Sequence, residues 1–324
     1  MRFWIVKAAI TCVFVLVSFF AKCQEEDLSK LFEDVGGAKT GKQVFATFKT
    51  TKIVNGQSNE TMKKHQLNFS IAHRFGDASG EYGGVKTFFG TDNASDIRIG
   101  FDYGVTDRFN VGISRSKGAT AIRQLYELNA KFKLLEQTTD NRIPIGVTLF
   151  GNGVASAMVS NVNTTVPDHF TDFSDRLSFV GQAIIVRKFG SRFSLALLPT
   201  YVHYNMTGYG DGNDTYAIGV GGRIKLSKRF AFIADYFYVA RQNGIKEYFE
   251  NNLMELYNPL GVGIEIETGG HIFQLTFMNS TALLENQYIP YTSSSWEKGQ
   301  FRWGFFFTRT FSLTKKANKN IDQN

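Results

Sequence analysis

Residues 96–116 read DIRIGFDYGVTDRFNVGISRS. Ile97, Ile99, Phe101 and Tyr103 share one parity, and Arg98, Gly100 and Asp102 share the other. After residues 105–108, Phe109, Val111 and Ile113 alternate in the same way with Asn110, Gly112 and Ser114. Successive side chains of a strand point to opposite faces, so this spacing predicts a hairpin with one apolar and one polar face. A soluble sandwich and a membrane barrel would both carry such a hairpin. How often the pattern recurs, and where the chain is sent, separate the two.

The address is written in the first residues. Arg2 and Lys7 flank the start of an apolar run, residues 8–20, which is followed by Ala21, Lys22 and Cys23. A charged start, a short apolar stretch and small residues before the cut predict a secretory signal peptide over residues 1–23, cleaved before Gln24. A lipoprotein reading would lipidate Cys23, but Lys22 is a poor fit to the small residue wanted before it. Cleavage removes both cysteines, Cys12 and Cys23, and with them any disulfide or thiolate chemistry. The formal charge falls from +7 to +4 as Arg2, Lys7 and Lys22 leave, so the basic balance carries no nucleic-acid inference.

No later stretch approaches the roughly 18 consecutive apolar residues of a membrane helix. Yet 31 Phe and 13 Tyr stand beside 31 Gly and only 5 Pro, a mixture suited to many strands with aromatic girdles and tight turns. Alternation recurs at residues 64–75, 122–134, 145–154, 177–187, 192–204, 216–226, 229–241, 260–267, 271–279 and 300–313. With the opening hairpin this makes about twelve strands, an even number as single-chain bacterial barrels have. Short links (105–108, 138–142, 188–191, 227–228, 268–270) alternate with long ones (76–95, 157–174, 206–214, 242–258, 281–299). That order predicts periplasmic turns and outer loops, and a sandwich has no reason to keep it. The expectation is an all-β, transmembrane, antiparallel up-and-down β-barrel over residues 64–313, in the outer membrane of a Gram-negative bacterium.

Outside the barrel, residues 24–63 supply a short amphipathic helix over 24–37 and a strand-like segment, 42–54, ended by a turn at Asn55-Gly56. Counting 42–54 as a wall strand would put the two chain ends on opposite sides, so it is expected at the rim or in the lumen. The last strand places Phe301, Trp303, Phe305 and Phe307 outward and Gly304 inward, as a barrel-assembly signal would. It departs from that pattern in the polar tail that follows, residues 314–324.

Several segments resemble a known family. HRFG (73–76), FFGTDNASDIRIGFDYGVTDRFNVGISRS (88–116), KFKLLEQ (131–137) and the upstream NGQSNET (55–61) are similar to an uncharacterised family of outer-membrane β-barrels from Bacteroidetes-type Gram-negative bacteria. The resemblance is clearest over residues 40–150. It implies the fold and the compartment; the family is a domain of unknown function, so no catalytic or binding residue comes with it.

On the barrel reading the polar parity faces the lumen, with Arg74, Arg98, Asp102, Lys131, Lys133, Arg223, Glu265, Glu267 and Arg302 as its charged lining. Such charges either line a small-solute path or pair across strands and close the bore. Gly100, on that face, is expected to tolerate Ser, whereas Phe101 is expected to face lipid. The five His show no metal-binding spacing, and YGDGND (209–214) lacks the remainder of a calcium loop, so neither metal nor cofactor is expected. His73 would be the base of a lipid hydrolase, but no nucleophile motif accompanies it, and no enzyme is expected. The expected partners are outer-membrane lipid, the barrel-assembly machinery, and a small solute or an envelope protein. Loops 76–95 and 281–299 would face such a protein.

Overall fold

The computed structural model describes residues 42–251 and 254–313. The expected signal peptide, the 24–37 helix and the polar tail lie outside the described residues.

Twelve strands form the wall: β1 (Gln66–Phe75), β2 (Ala94–Gly104), β3 (Phe109–Ser116), β4 (Leu125–Leu135), β5 (Gly146–Ser156), β6 (Leu177–Phe189), β7 (Phe193–Tyr204), β8 (Asp214–Lys225), β9 (Phe230–Ala240), β10 (Leu260–Thr268), β11 (His271–Met278) and β12 (Arg302–Ser312). Each pairs antiparallel with its neighbours in sequence, and β1 pairs with β12 from Gln66↔Ser312 to Arg74↔Gly304, which closes the barrel. Closure leaves no unpaired edge, the condition for a sheet to span hydrocarbon. Between β10 and β11 the chain reverses in two residues, Gly269 (φ +36°) and Gly270 (φ +126°), a left-handed turn that favours glycine.

Facing follows parity. On β2, Asp96, Arg98 and Gly100 are buried while Ile99 and Phe101 are exposed; on β3, Asn110, Gly112 and Ser114 are buried while Ile113 is exposed. Exposed Leu128, Leu149, Leu197, Ile218, Val220 and Phe232 continue an apolar outer belt, with Tyr201, Tyr216, Tyr236 and Tyr238 also exposed.

The inside is not uniformly polar, as the expectation had it. Strands β1–β4 and β10–β12 turn inward Asn68, Arg74, Arg98, Glu127, Lys131, Glu265 and Gln274, among others. Strands β5–β9 turn inward Phe150, Val154, Val180, Ile184, Leu198, Ile233 and Phe237. These apolar residues form one buried cluster with Phe48, Ile53 and Val54 and with Leu284, Tyr288 and Ile289. The same strands also bury Asn152, Gln182, Arg223 and Asp235, so this side is mixed, and its apolar members face protein rather than water.

Helix α1 (Asn243–Asn251) lies in the β9–β10 loop and α2 (Glu285–Tyr291) in the β11–β12 loop.

Candidate functional site

Among the described residues two inserts occupy the barrel. The first precedes β1 and enters at the short-turn end. There Val44 N–H donates to the Gln137 carbonyl (2.8 Å) and Lys188 Nζ donates to the carbonyls of Phe45 (2.8 Å) and Ala46 (3.0 Å). Residues 42–54 form no regular strand; the chain bends, pairs Lys52 with Gln57, and turns where Asn55-Gly56 predicts it. Ile53 N–H donates to the Gly56 carbonyl (2.8 Å) and Ser58 N–H to the Thr51 carbonyl (3.0 Å).

The hairpin tip is gripped from the wall. Asp235 of β9 accepts at one oxygen, Oδ2, from the backbone N–H groups of Val54 (3.0 Å), Asn55 (2.6 Å) and Gly56 (2.8 Å), and at Oδ1 from Asn55 Nδ2 (2.7 Å). Three successive N–H groups converging on one carboxyl oxygen make an anion nest. Lys131 Nζ donates to the carbonyls of Thr51 (2.8 Å) and Ser58 (2.9 Å), so one wall cation holds both arms. The seat is carved by glycine: a Cβ at Gly221 would stand 2.5 Å from Ile53 Cδ1, and one at Gly261 2.5 Å from Val54 Cγ1.

The second insert corrects an expectation. The β11–β12 loop, expected to face outward toward a partner, instead sends residues 279–290 into the barrel, where Leu284, Glu285, Asn286, Gln287, Tyr288 and Ile289 are buried. Arg74 donates to Ser280 Oγ (2.7 Å) and to the Ala282 carbonyl, Asp96 Oδ2 accepts from Leu283 N–H (2.8 Å), and Asn286 Nδ2 donates to Ser178 Oγ (2.8 Å). Leu283 also packs with Ala72 and Phe306. Parity rules say nothing about a loop, so this inward turn had no local signal.

The inserts meet in the lumen. Glu285 Oε1 accepts from Lys52 Nζ (3.0 Å) and from Gln57 Nε2 (2.9 Å), while Lys52 also donates to the Leu283 carbonyl (3.1 Å). Asn55 Oδ1 accepts from Arg74 Nη2 (2.7 Å) and from Ser280 Oγ (2.8 Å). Between the hairpin and the β2–β5 wall there remains a space of about 10 Å³ lined by Lys52, Glu60, Arg98, Asp102, Lys131 and Phe150. That is barely the room of one water.

The structure places eight of the nine expected lining residues in three settings. Arg74 and Lys131 hold the inserts. Arg98 pairs with Glu127 (2.7 Å) and Arg223 with Glu265 (2.8 Å) within the wall. Lys133, Glu267 and Arg302 lie toward the ends, with Lys133 against Glu136 (3.5 Å), Glu267 against Lys49 of the first insert (3.2 Å) and Arg302 against Asp77. Asp102, expected among the pairing charges, accepts from Asn68 Nδ2 (3.4 Å) and makes no ion pair among the described residues. Asp96 and Glu127 share the inward parity of Arg98 and Lys131 on their own strands and were legible in that way; Asp235, Lys52 and Glu285 had no such signal. Gly100 is also less tolerant than expected, since a Cβ there would stand 2.9 Å from Arg98 Nη1, which lies across it toward Glu127.

Above the second insert opens a cup of about 460 Å³. Its walls include Ile122, Val166, Pro167, Tyr209, Tyr248, Phe249, Met254 and Tyr291. Tyr291 Oη donates to Asp211 Oδ2 (2.8 Å), and burial pushes the Asp211 carboxyl above its usual range. His73 faces the lipid side, stacked on Phe305 at 5.5 Å and beside Phe75 at 4.2 Å, with no hydrogen-bond partner at Nδ1 among the described residues. The described residues hold no group of three His, Cys, Asp or Glu able to bind a metal.

Among solved structures the chain is similar to the NanC porin (7% identity, 76% of this chain and 100% of that one, TM-score 0.44). It is similar also to the KdgM porin (8%, 75% and 99%, 0.43) and to an outer membrane channel from Pseudomonas putida F1 (14%, 79% and 98%, 0.44). No curated protein matches the sequence. A family described as a membrane bound beta barrel domain matches residues 48–311, a span that starts inside the first insert and runs almost to the end of β12. The chain is a membrane-bound β-barrel, and it belongs to the membrane bound beta barrel domain family DUF5777.

Proposed function

We propose that this protein binds and passes small solutes through a lumen held shut by its two inserts. The carrying observation is how the barrel is closed. Neither insert is part of the wall, and they meet through the Lys52–Glu285 pair and the Asn55–Arg74–Ser280 contacts. Buried ion pairs stabilise less than well-packed apolar groups would, and their best-attested use is to hold one arrangement against another. Withdrawing the hairpin toward its own entry end would expose a lumen with one mainly polar and one partly apolar side, suited to amphipathic small molecules.

A second reading, a permanently closed envelope barrel that docks a partner, is favoured by a different observation: Phe48 and Ile53 are buried to 1% and 0% exposure in the apolar cluster. Planar-bilayer recordings separate the two. The conduit reading expects brief steps from the intact protein, which the permanently closed reading does not, and a sustained step when residues 50–58 and 281–293 are both replaced by short Gly-Ser linkers. A doubly deleted barrel that is folded and still insulating would refute it.

A further inference from the structure

We propose that the outer cup is a binding site for a small organic ammonium with an apolar body, an inference that rests on the solute-binding reading and names the class of solute. The cup, at about 460 Å³, falls in the size range of small-molecule sites, and its lining is mainly apolar and aromatic with a few polar groups. Four of the lining residues are rings joined in a chain. Tyr209 and Tyr248 are 6.5 Å apart, Tyr248 and Phe249 5.5 Å, and Phe249 and Tyr291 6.4 Å, all edge-on. Edge-on rings present differently oriented faces to one space, the arrangement by which an ammonium is held through ring quadrupoles.

Charge sets the sign. Among the described residues Asp211 is the one charged residue in the lining, and no Lys, Arg or His contributes to it. Its carboxyl accepts from Tyr291 Oη at Oδ2 and from Gly212 N–H (2.7 Å) at Oδ1, which leaves acceptor capacity on both oxygens. A half-buried carboxylate among rings is poorly solvated, so an incoming cation restores what burial removed, whereas an anion would meet a like charge. The floor of the cup is Thr281, Tyr291 and Ser293, the flanks of the insert whose Glu285 holds Lys52. A ligand seated there rests on the closing element itself.

The test uses the full mature chain in detergent, titrated with three probes of one shape: 2-phenylethylammonium, 2-phenylethanol and phenylacetate, followed by calorimetry. The ammonium is expected to bind about tenfold or more tightly than the alcohol, and phenylacetate not at all. Asp211→Asn should bring the ammonium down to the affinity of the alcohol and leave the alcohol unchanged, since the amide can still accept from Tyr291. Tyr291→Phe frees the carboxylate and should keep the preference for the ammonium. Equal binding of ammonium and alcohol to the native protein would overturn the proposal, as would a preference that survives Asp211→Asn. Flux of the same probes into liposomes is read separately. Selective binding without flux supports the cup and refutes the conduit, while flux without selectivity supports the conduit and refutes the cup.

Discussion

Replacing Asp235 by Ala tests how the first insert is held. The carboxyl accepts four hydrogen bonds from the hairpin tip, three of them from the successive N–H groups of Val54, Asn55 and Gly56. The tip is buried, with Asn55 at 0% exposure, so water cannot readily replace the lost acceptor. Hydrogen bonds to a charged group contribute about 1.5–3 kcal/mol each, and a stranded buried donor costs about 1–3 kcal/mol. These terms are not additive around one side chain, and a single truncated partner in a buried network typically costs about 3–5 kcal/mol. The undocked population of the hairpin should then rise by roughly two to three and a half orders of magnitude. The wall itself is spared, because the β8–β9 and β9–β10 ladders are backbone contacts. Amide hydrogen exchange in detergent reads the result at Val54, Asn55 and Gly56, with heat-modifiable migration as the control for a folded barrel. Asp235→Asn, which keeps one carbonyl oxygen, should fall between native and Ala. Unchanged protection of the three amides in a folded Asp235→Ala barrel would refute this account of the seat.

Four further outcomes are expected. Phe101→Arg places a charge on the lipid-facing side of β2 and should cost about 2–4 kcal/mol in urea unfolding from bilayers, with no loss if the facing is wrong. Gly100→Ser should weaken the Arg98–Glu127 pair by crowding Arg98 and lower stability measurably, where a merely spacious lumen would leave it unchanged. Lys52→Met or Glu285→Gln alone should each destabilise the closed state by about 3–5 kcal/mol, and the double variant by less than their sum; strict additivity of the two would show that the pair does not couple the inserts. On the outer loops, hydrogen bonds from Lys298 (2.6 Å) and from Tyr257 hold the Glu255 carboxyl below its ordinary 4.5, so the tie contributes at neutral pH, starts to fade as pH falls past 4.5 and is lost through the lowered value. An ordinary carboxylate titration of Glu255 by NMR would contradict it.

The wall was legible in the order of the residues. Alternation assigned Ile99, Phe101 and Ile113 to one face and Arg98, Gly100 and Ser114 to the other, and the order of short and long links anticipated an up-and-down barrel with both its ends at the short-turn side. These are local properties: a two-residue period and a turn residue are read within a few positions. The charge partners were not legible. Arg98 was placed on the inner face by parity, but that its guanidinium crosses Gly100 to reach Glu127 rather than Asp102 depends on the register of three strands. The closure was less legible still. Asn55-Gly56 announced a turn, yet nothing nearby says that its N–H groups meet an acid 180 residues later, or that Lys52 meets Glu285, 233 residues on. The apolar inner parity of β5–β9 is a trace of that closure, because an inner wall facing only water would gain nothing from Ile184, Leu198 and Ile233. Only the closed barrel brings Phe48, Ile53 and Val54 against them, since packing across a lumen joins residues whose sequence positions carry no record of one another.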